Sequence, residues 1–350
     1  MQKRLTGKWL AAGMVAGLAG SLGLMQGAAA EGELNFYNWT DYTSPELIAK
    51  FEAETGIKVN LDAYDSNESL LAKLKSGAVG YDLAVPSQNF ITIMIEEGML
   101  EEMNAFELPN FSHVDERWRY PAWDPQQKYS APWQFGTTSF SIRSDAGAGS
   151  CDTLKTFFEP GPAACGKLGV FKTPEEVVGL AQIYLGQELC TDDGESMKAI
   201  QALLQKQKQC VLVYSSEATT DRLANNETVV SNTWNGDVMR IRLEGAPVEY
   251  CYPKEGILGW YDSLVIPKGA PNLENARTFV NFLMQPENMA LQSNFARYSN
   301  AISASTAHLD EDLASAPEIA VPSDVPVTFA ENCSAKYIKS VDRIWTRLLQ

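Results

Sequence analysis

Three short segments pair an indole with a carboxylate at close spacing: Trp39-Thr40-Asp41-Tyr42, Trp234-Asn235-Gly236-Asp237 and Trp260-Tyr261-Asp262. In an extended chain alternate side chains share a face, so Trp260 and Asp262 are expected side by side. In the first turn of a helix a spacing of three does the same for Trp234 and Asp237. Each segment then offers a flat π-face and an anion together. An amine on a methylene chain needs both, with carboxylates for its charged ends and apolar walls along its body. An aromatic face adds roughly 0.5–2 kcal/mol per well-placed cation. One such cluster alone reads more simply as a core indole beside a capping or solvated carboxylate. Three of them at the ends of predicted strands favour a site for a small cationic ligand, such as a polyamine.

Other chemistries have little support. Gly161 to Lys167 has the spacing of a phosphate loop, but Leu168 stands where a magnesium-binding hydroxyl is needed. Glu175-Glu176 resembles a carboxylate pair for acid–base work, yet adjacent residues on a helix point about 100° apart, and acids in a first turn complement the helix dipole. The histidines are His113 and His308 alone, and no C-x-x-C occurs. No catalytic residue, metal or cofactor is therefore expected.

The elements that must position these clusters follow from periodicity. Leu34 to Tyr37 alternates as a strand; Pro45 then opens a helix with Leu47, Ile48 and Phe51 on one face, closed by Gly56. Ile57 to Ala63 reads as a strand, Glu68 to Lys75 as a helix and Asp82 to Val85 as a strand. This β-α-β alternation signals a largely parallel sheet, whose ligands sit beyond the carboxyl ends of the strands. Asn38 to Tyr42 and Pro86 to Phe90 fall there. Gly136 to Ile142 is read as carrying the chain into a second lobe, where Thr173 to Leu185 forms a helix with Pro174 in its first turn. Asp262 to Pro267 is a strand returning to the first lobe, followed by a helix from Pro271 to Met284. Two crossings imply two hinge segments.

Residues 1–30 read as a secretory signal, with Lys3, Arg4 and Lys8 ahead of an uncharged stretch and Ala28-Ala29-Ala30 as the cleavage site. Cleavage after Ala30 leaves 320 residues, enough for two domains. It also takes the formal charge from −16 to −19, which disfavours nucleic acid or anionic lipid as partner. Six cysteines in an exported chain favour disulfides, and Cys151 with Cys165, bracketing a Gly/Pro-rich loop, is the easiest local pair.

Tyr37 to Tyr42, Phe51 to Val59, Tyr81 to Ser87 and Pro253 to Gly256 together resemble the bacterial polyamine-binding proteins, in order and over nearly the whole chain beyond the signal. The resemblance implies an α/β fold of the type II periplasmic-binding class, with two lobes closing on a ligand. It implies the periplasm as location, a membrane permease of an ABC importer as partner, and a monomer. Carried over residue by residue, it implies Trp39 as an aromatic wall with Thr40, Asp41 and Tyr42 beside it, and Ser87 as the site serine. Glu176 would meet an amine, Trp234 and Asp237 match a Trp-x-Gly-Asp element, Trp260 and Asp262 clamp one ammonium, and Tyr298 is a site tyrosine. Ser215 and Ser216 match a less specific pair. Lys172 and Thr173 depart from the pattern, standing where relatives place a further acid, so putrescine against spermidine stays open.

The expected lobes are 31–135 with 263–312, and 136–262 with 313–350, each a mostly parallel sheet flanked by helices. One alternative keeps the binding role but takes a zwitterionic amine such as a γ-amino acid, which requires an arginine in the cleft from among Arg143, Arg240, Arg242 and Arg297. A more remote one is a secreted hydrolase using two of the carboxylates.

Overall fold

The computed structural model describes residues 32–77, 80–329 and 333–350, so the signal segment and its cleavage point lie outside the described residues. Among the described residues ten strands form one mixed sheet. They are β1 (Gly32–Trp39), β2 (Ile57–Tyr64), β3 (Leu83–Ala84), β4 (Ser130–Arg143), β5 (Leu168–Val170), β6 (Val211–Tyr214), β7 (Val230–Trp234), β8 (Val248–Tyr250), β9 (Ile257–Val265) and β10 (Val327–Phe329). The order is β2-β1-β3-β9-β4-β7-β5-β6, with β10 beside β9 and β8 beside β4. At one end β2, β1 and β3 run parallel, and at the other β7, β5 and β6 do. Between them β4 and β9 run antiparallel, paired from Ser130 opposite Val265 to Thr138 opposite Leu258 with a register shift between Pro132 and Gln134.

Local signals account for the first unit. Ser44 accepts a hydrogen bond from the Leu47 amide at 3.2 Å and Pro45 occupies the first turn, so the helix Pro45–Thr55 starts where its orphan donors are satisfied. Leu47 and Phe51 on one face then bury into the core. The parallel register of β1 on β2 sets Trp39 opposite Tyr64, at the carboxyl ends of both strands.

Two main apolar cores flank the central ribbon. One gathers Leu34, Phe36, Phe51, Trp133 and Phe279; the other gathers Phe140, Phe157, Phe171, Leu204 and Trp345. We call the halves built on them the first and second lobes. The C-terminal helix Ala335–Leu349 belongs to the second through Tyr337, Val341, Ile344 and Leu348, which repeat at helical spacing. Strand β4 starts in the first core and ends in the second, and β9 returns the other way.

The cysteine expectation is corrected. Cys151 pairs with Cys251, Cys165 with Cys210 and Cys190 with Cys333. Cys151 and Cys165 are held apart because the loop between them is not slack: it contains the helix Lys155–Phe158, whose Phe157 and Phe158 are fully buried. Each end is tied to a different neighbour, Gly166 N–H to Cys210 carbonyl at 2.8 Å and Lys254 N–H to Asp152 carbonyl at 3.1 Å. All three bridges lie in the second lobe, closing spans of 100, 45 and 143 residues.

Candidate functional site

All eleven predicted site residues line one cleft of about 1020 Å³ between the lobes. At its floor is Asp262, on β9, 5 % exposed. The Ser87 hydroxyl donates to Asp262 Oδ1 at 2.7 Å, and Asn67 Nδ2 donates to Ser87 Oγ at 3.1 Å. The Tyr42 hydroxyl is near enough to favour the Asp262 charge, yet its geometry falls short of a hydrogen bond to any group of the protein. Burial pushes the Asp262 carboxyl up to about 7; the Ser87 and Tyr42 hydroxyls work against that, and the charge of Glu176 adds to it. A carboxylate kept dry without a cation is an electrostatic demand for one.

Glu176 lies in the first turn of the helix Pro174–Tyr184, in the other lobe. Three donors fix it: Thr138 at 2.6 Å, Thr173 at 2.6 Å and the Trp234 indole at 2.7 Å. Burial raises its pKa above the ordinary carboxylate value, and the three donors oppose the rise. Thr173 thus fills the departure from the family pattern by orienting Glu176. Lys172 is exposed and outside the cleft lining, so its charge is directed away.

The aromatic walls are held through their polar edges. Trp39 donates its indole N–H to the Val85 carbonyl at 2.8 Å and leans on Tyr64, ring centroids 4.8 Å apart. Trp260 packs edge-on against Tyr298 at 5.0 Å, and its indole nitrogen has no partner. Gly136 makes this possible: a Cβ there would collide with the Trp260 ring and come within 2.7 Å of Asn235 Oδ1. Gly236 does the same for Tyr298, whose ring would lie 2.6 Å from an added Cβ. Thr40 and Asp41 sit exposed at the rim, and the Thr40 hydroxyl is spent on the Tyr64 carbonyl. Ser216 lines the cleft, whereas Ser215 does not.

Asp237 is placed in the cleft but already has a cation: it is ion-paired with Arg240, and it accepts from the Tyr298 hydroxyl at 3.1 Å. Arg240 also reaches across the cleft to the Asp41 carbonyl at 3.4 Å. The other candidate arginines lie outside the lining. Arg143 binds Asp145, Arg242 binds Glu318, and Arg297 binds Asp310 and Asp312.

Among the described residues eleven carboxyl residues line the cleft against two cations, Arg240 and Lys75, and both cations are paired, the latter with Glu97. The arrangement is that of a receptor for positive charge on an apolar body. Several participants carried no signal in the sequence. Thr138 is one of two adjacent threonines on a buried strand, and Tyr64 and Gln88 look like ordinary core and helix-start residues. Glu175 reads as a dipole-complementing acid and Glu68 as the start of a helix, although the structure turns both into the cleft.

A profile of the family described as bacterial extracellular solute-binding protein matches residues 46–321. The chain is 34% identical to a putrescine-binding periplasmic protein of Pseudomonas aeruginosa, over 95% of each chain. It is 35% identical to a spermidine/putrescine-binding periplasmic protein of Escherichia coli, over 77% of this chain and 78% of the other. Among solved structures it resembles a putative spermidine/putrescine ABC transporter from Listeria monocytogenes. The TM-score is 0.84 at 28% identity, covering 91% of this chain and 99% of that one.

Proposed function

This chain belongs to the bacterial extracellular solute-binding proteins, in their periplasmic polyamine-binding branch, and we propose that it captures a linear polyamine between its lobes for delivery to an ABC importer. It is a binding protein and not an enzyme, which leaves the hydrolase alternative without a basis. The observation that carries the polyamine reading is the uncompensated negative charge of the cleft, eleven carboxyl residues against two paired cations. In this mechanism Trp39 and Trp260 flank the methylenes. Asp262, presented by Ser87 and Tyr42, takes one ammonium, and Glu176, oriented by Thr138, Thr173 and Trp234, takes another. Contacts from both lobes are available only when the cleft is closed, so ligand biases closure, and the closed monomer is the form the permease would meet.

Binding is expected to strengthen with pH. Free Asp262 holds its proton up to about pH 7, whereas beside an ammonium it is ionised, so uptake of ligand releases that proton. Affinity should therefore rise by up to about tenfold per pH unit below pH 7 and level off above it. Titrations at fixed ionic strength across that range check the slope, and a flat profile would remove Asp262 from the ammonium site.

A second reading is favoured by Arg240, which lines the same cleft: a zwitterionic amine could place its carboxylate there. Calorimetric titration of refolded, ligand-free protein with putrescine, cadaverine, spermidine and γ-aminobutyrate separates the two. Micromolar or tighter binding of a polyamine, about −8 kcal/mol or better, is the expected result. Binding of γ-aminobutyrate alone would establish the second reading in its place.

A further inference from the structure

Two helices face each other across the cleft, Asn67–Lys75 from the first lobe and Pro174–Tyr184 from the second, and each turns a glutamate toward the other. Glu68 and Glu175 lie within hydrogen-bonding reach of one another. The Oε2 atom of each is buried and receives no hydrogen bond from the protein. Two such oxygens repel unless something positive lies between them, either a proton on one or a cation shared by both.

The surroundings supply no cation. Glu176 is the next residue on the same helix and adds negative charge. The C-terminal helix brings Tyr337, whose hydroxyl is given to Gln182 at 3.0 Å, and Asp342. Lys75 lines the cleft but is bound to Glu97 at 2.8 Å. Burial and the facing Glu68 accordingly push the Glu175 carboxyl well above its ordinary range.

The cleft these glutamates close is built for a ligand on independent grounds, because Asp262, 5 % exposed at its floor, has no cation of the protein among the groups that act on it. The carboxyls also follow one another in order. Glu176 acts on Asp262 on one side and is acted on by Glu68 on the other, while Glu68 and Glu175 are not among the groups that act on Asp262.

We propose that Glu68 and Glu175 form an outer ammonium station, completed only when the lobes meet, that selects a triamine over a diamine. The proposal rests on the polyamine reading of the cleft. A diamine spans Asp262 and Glu176 and leaves Glu175 holding its proton against Glu68. The third nitrogen of a triamine replaces that proton and returns Glu175 to its charged form.

The test is calorimetric titration of the ligand-free protein with putrescine and with spermidine, each in two buffers of different ionisation enthalpy so that released protons are counted. Spermidine should release about one proton more than putrescine near neutral pH. Glu175→Gln and Glu68→Gln, made singly on opposite lobes so that one can misfold without voiding the test, should each remove that extra proton. Each should also weaken spermidine at least tenfold more than putrescine. Equal proton release for the two ligands, or variants that shift both affinities alike, overturns the station while leaving the polyamine reading intact. Failure of the wild-type protein to bind either polyamine overturns that reading and the station with it.

Discussion

Asp262→Asn is expected to weaken polyamine binding by about a thousandfold while raising the stability of the ligand-free protein. The two effects have one cause. Asp262 is 5 % exposed with no cation of the protein beside it, so its charge is a cost in the empty cleft and an asset in the filled one. Its folded value of about 7 stands above the ordinary 3.8. Between those values the folded protein holds a proton that the unfolded chain has lost. Stability is therefore lost as pH rises through that window, by an amount that reaches about 4 kcal/mol above pH 7. An asparagine keeps an oxygen for the Ser87 hydroxyl, which now donates at 2.7 Å, and carries no charge to desolvate. Thermal melts of the ligand-free variant should coincide with wild type near pH 4 and lie above it at pH 8, with calorimetry reporting the lost affinity. A variant that loses stability and affinity together would make Asp262 a structural residue whose removal damages the cleft indirectly.

The same contrast between local and distant causes separates what the sequence made legible from what it did not. The helix Pro45–Thr55 was readable because its cap, its proline and its apolar face all lie within one stretch of chain. The crossing between lobes reads from sequence as Gly136 to Ile142, but the strand that makes it, β4, begins at Ser130. Its residues are buried on both faces, so no alternation marks its start, and the register shifts between Pro132 and Gln134. Eight of the eleven cleft residues stood out because indoles beside carboxylates are rare enough to notice. Ser87 was placed at the rim by the parallel ends of β1 and β3, and Glu176 and Tyr298 were reached through the family resemblance alone. Glu68 and Glu175 did not stand out, since an acid in a first turn already has an adequate local explanation. Only the approach of two helices from different lobes gives them a further role. Cysteine pairing failed as a local inference for the same reason, because the helix inside the Cys151 to Cys165 loop sends its two ends to different partners.

Arg240→Gln is expected to strengthen polyamine binding by roughly ten- to hundredfold, and it separates the two readings of the cleft most sharply. Asp237 and Arg240 sit one helical turn apart on the helix Asn235–Leu243, where side chains at a spacing of three meet. The pair is partly buried, 31 % and 20 % exposed at the Arg240 and Asp237 side chains, so water screens the guanidinium incompletely. A polyamine entering this cleft meets Asp237 already neutralised and a fixed positive charge beside it. Glutamine removes the repulsion and releases the carboxylate, while the Tyr298 hydroxyl, at 3.1 Å from Asp237 Oδ1, still orients it. Two carboxylates, Asp237 and Asp262, would then be open to the ligand, where Arg240 now neutralises the first. A ligand with a carboxylate behaves in the opposite way, because Arg240 is the one cleft arginine among the described residues, and its loss removes the anion's partner. Putrescine and γ-aminobutyrate titrated into wild type and variant should therefore move in opposite directions. A gain for putrescine identifies Arg240 as a restraint on a polyamine site. A loss of γ-aminobutyrate binding with no gain for putrescine makes Arg240 the residue the ligand requires.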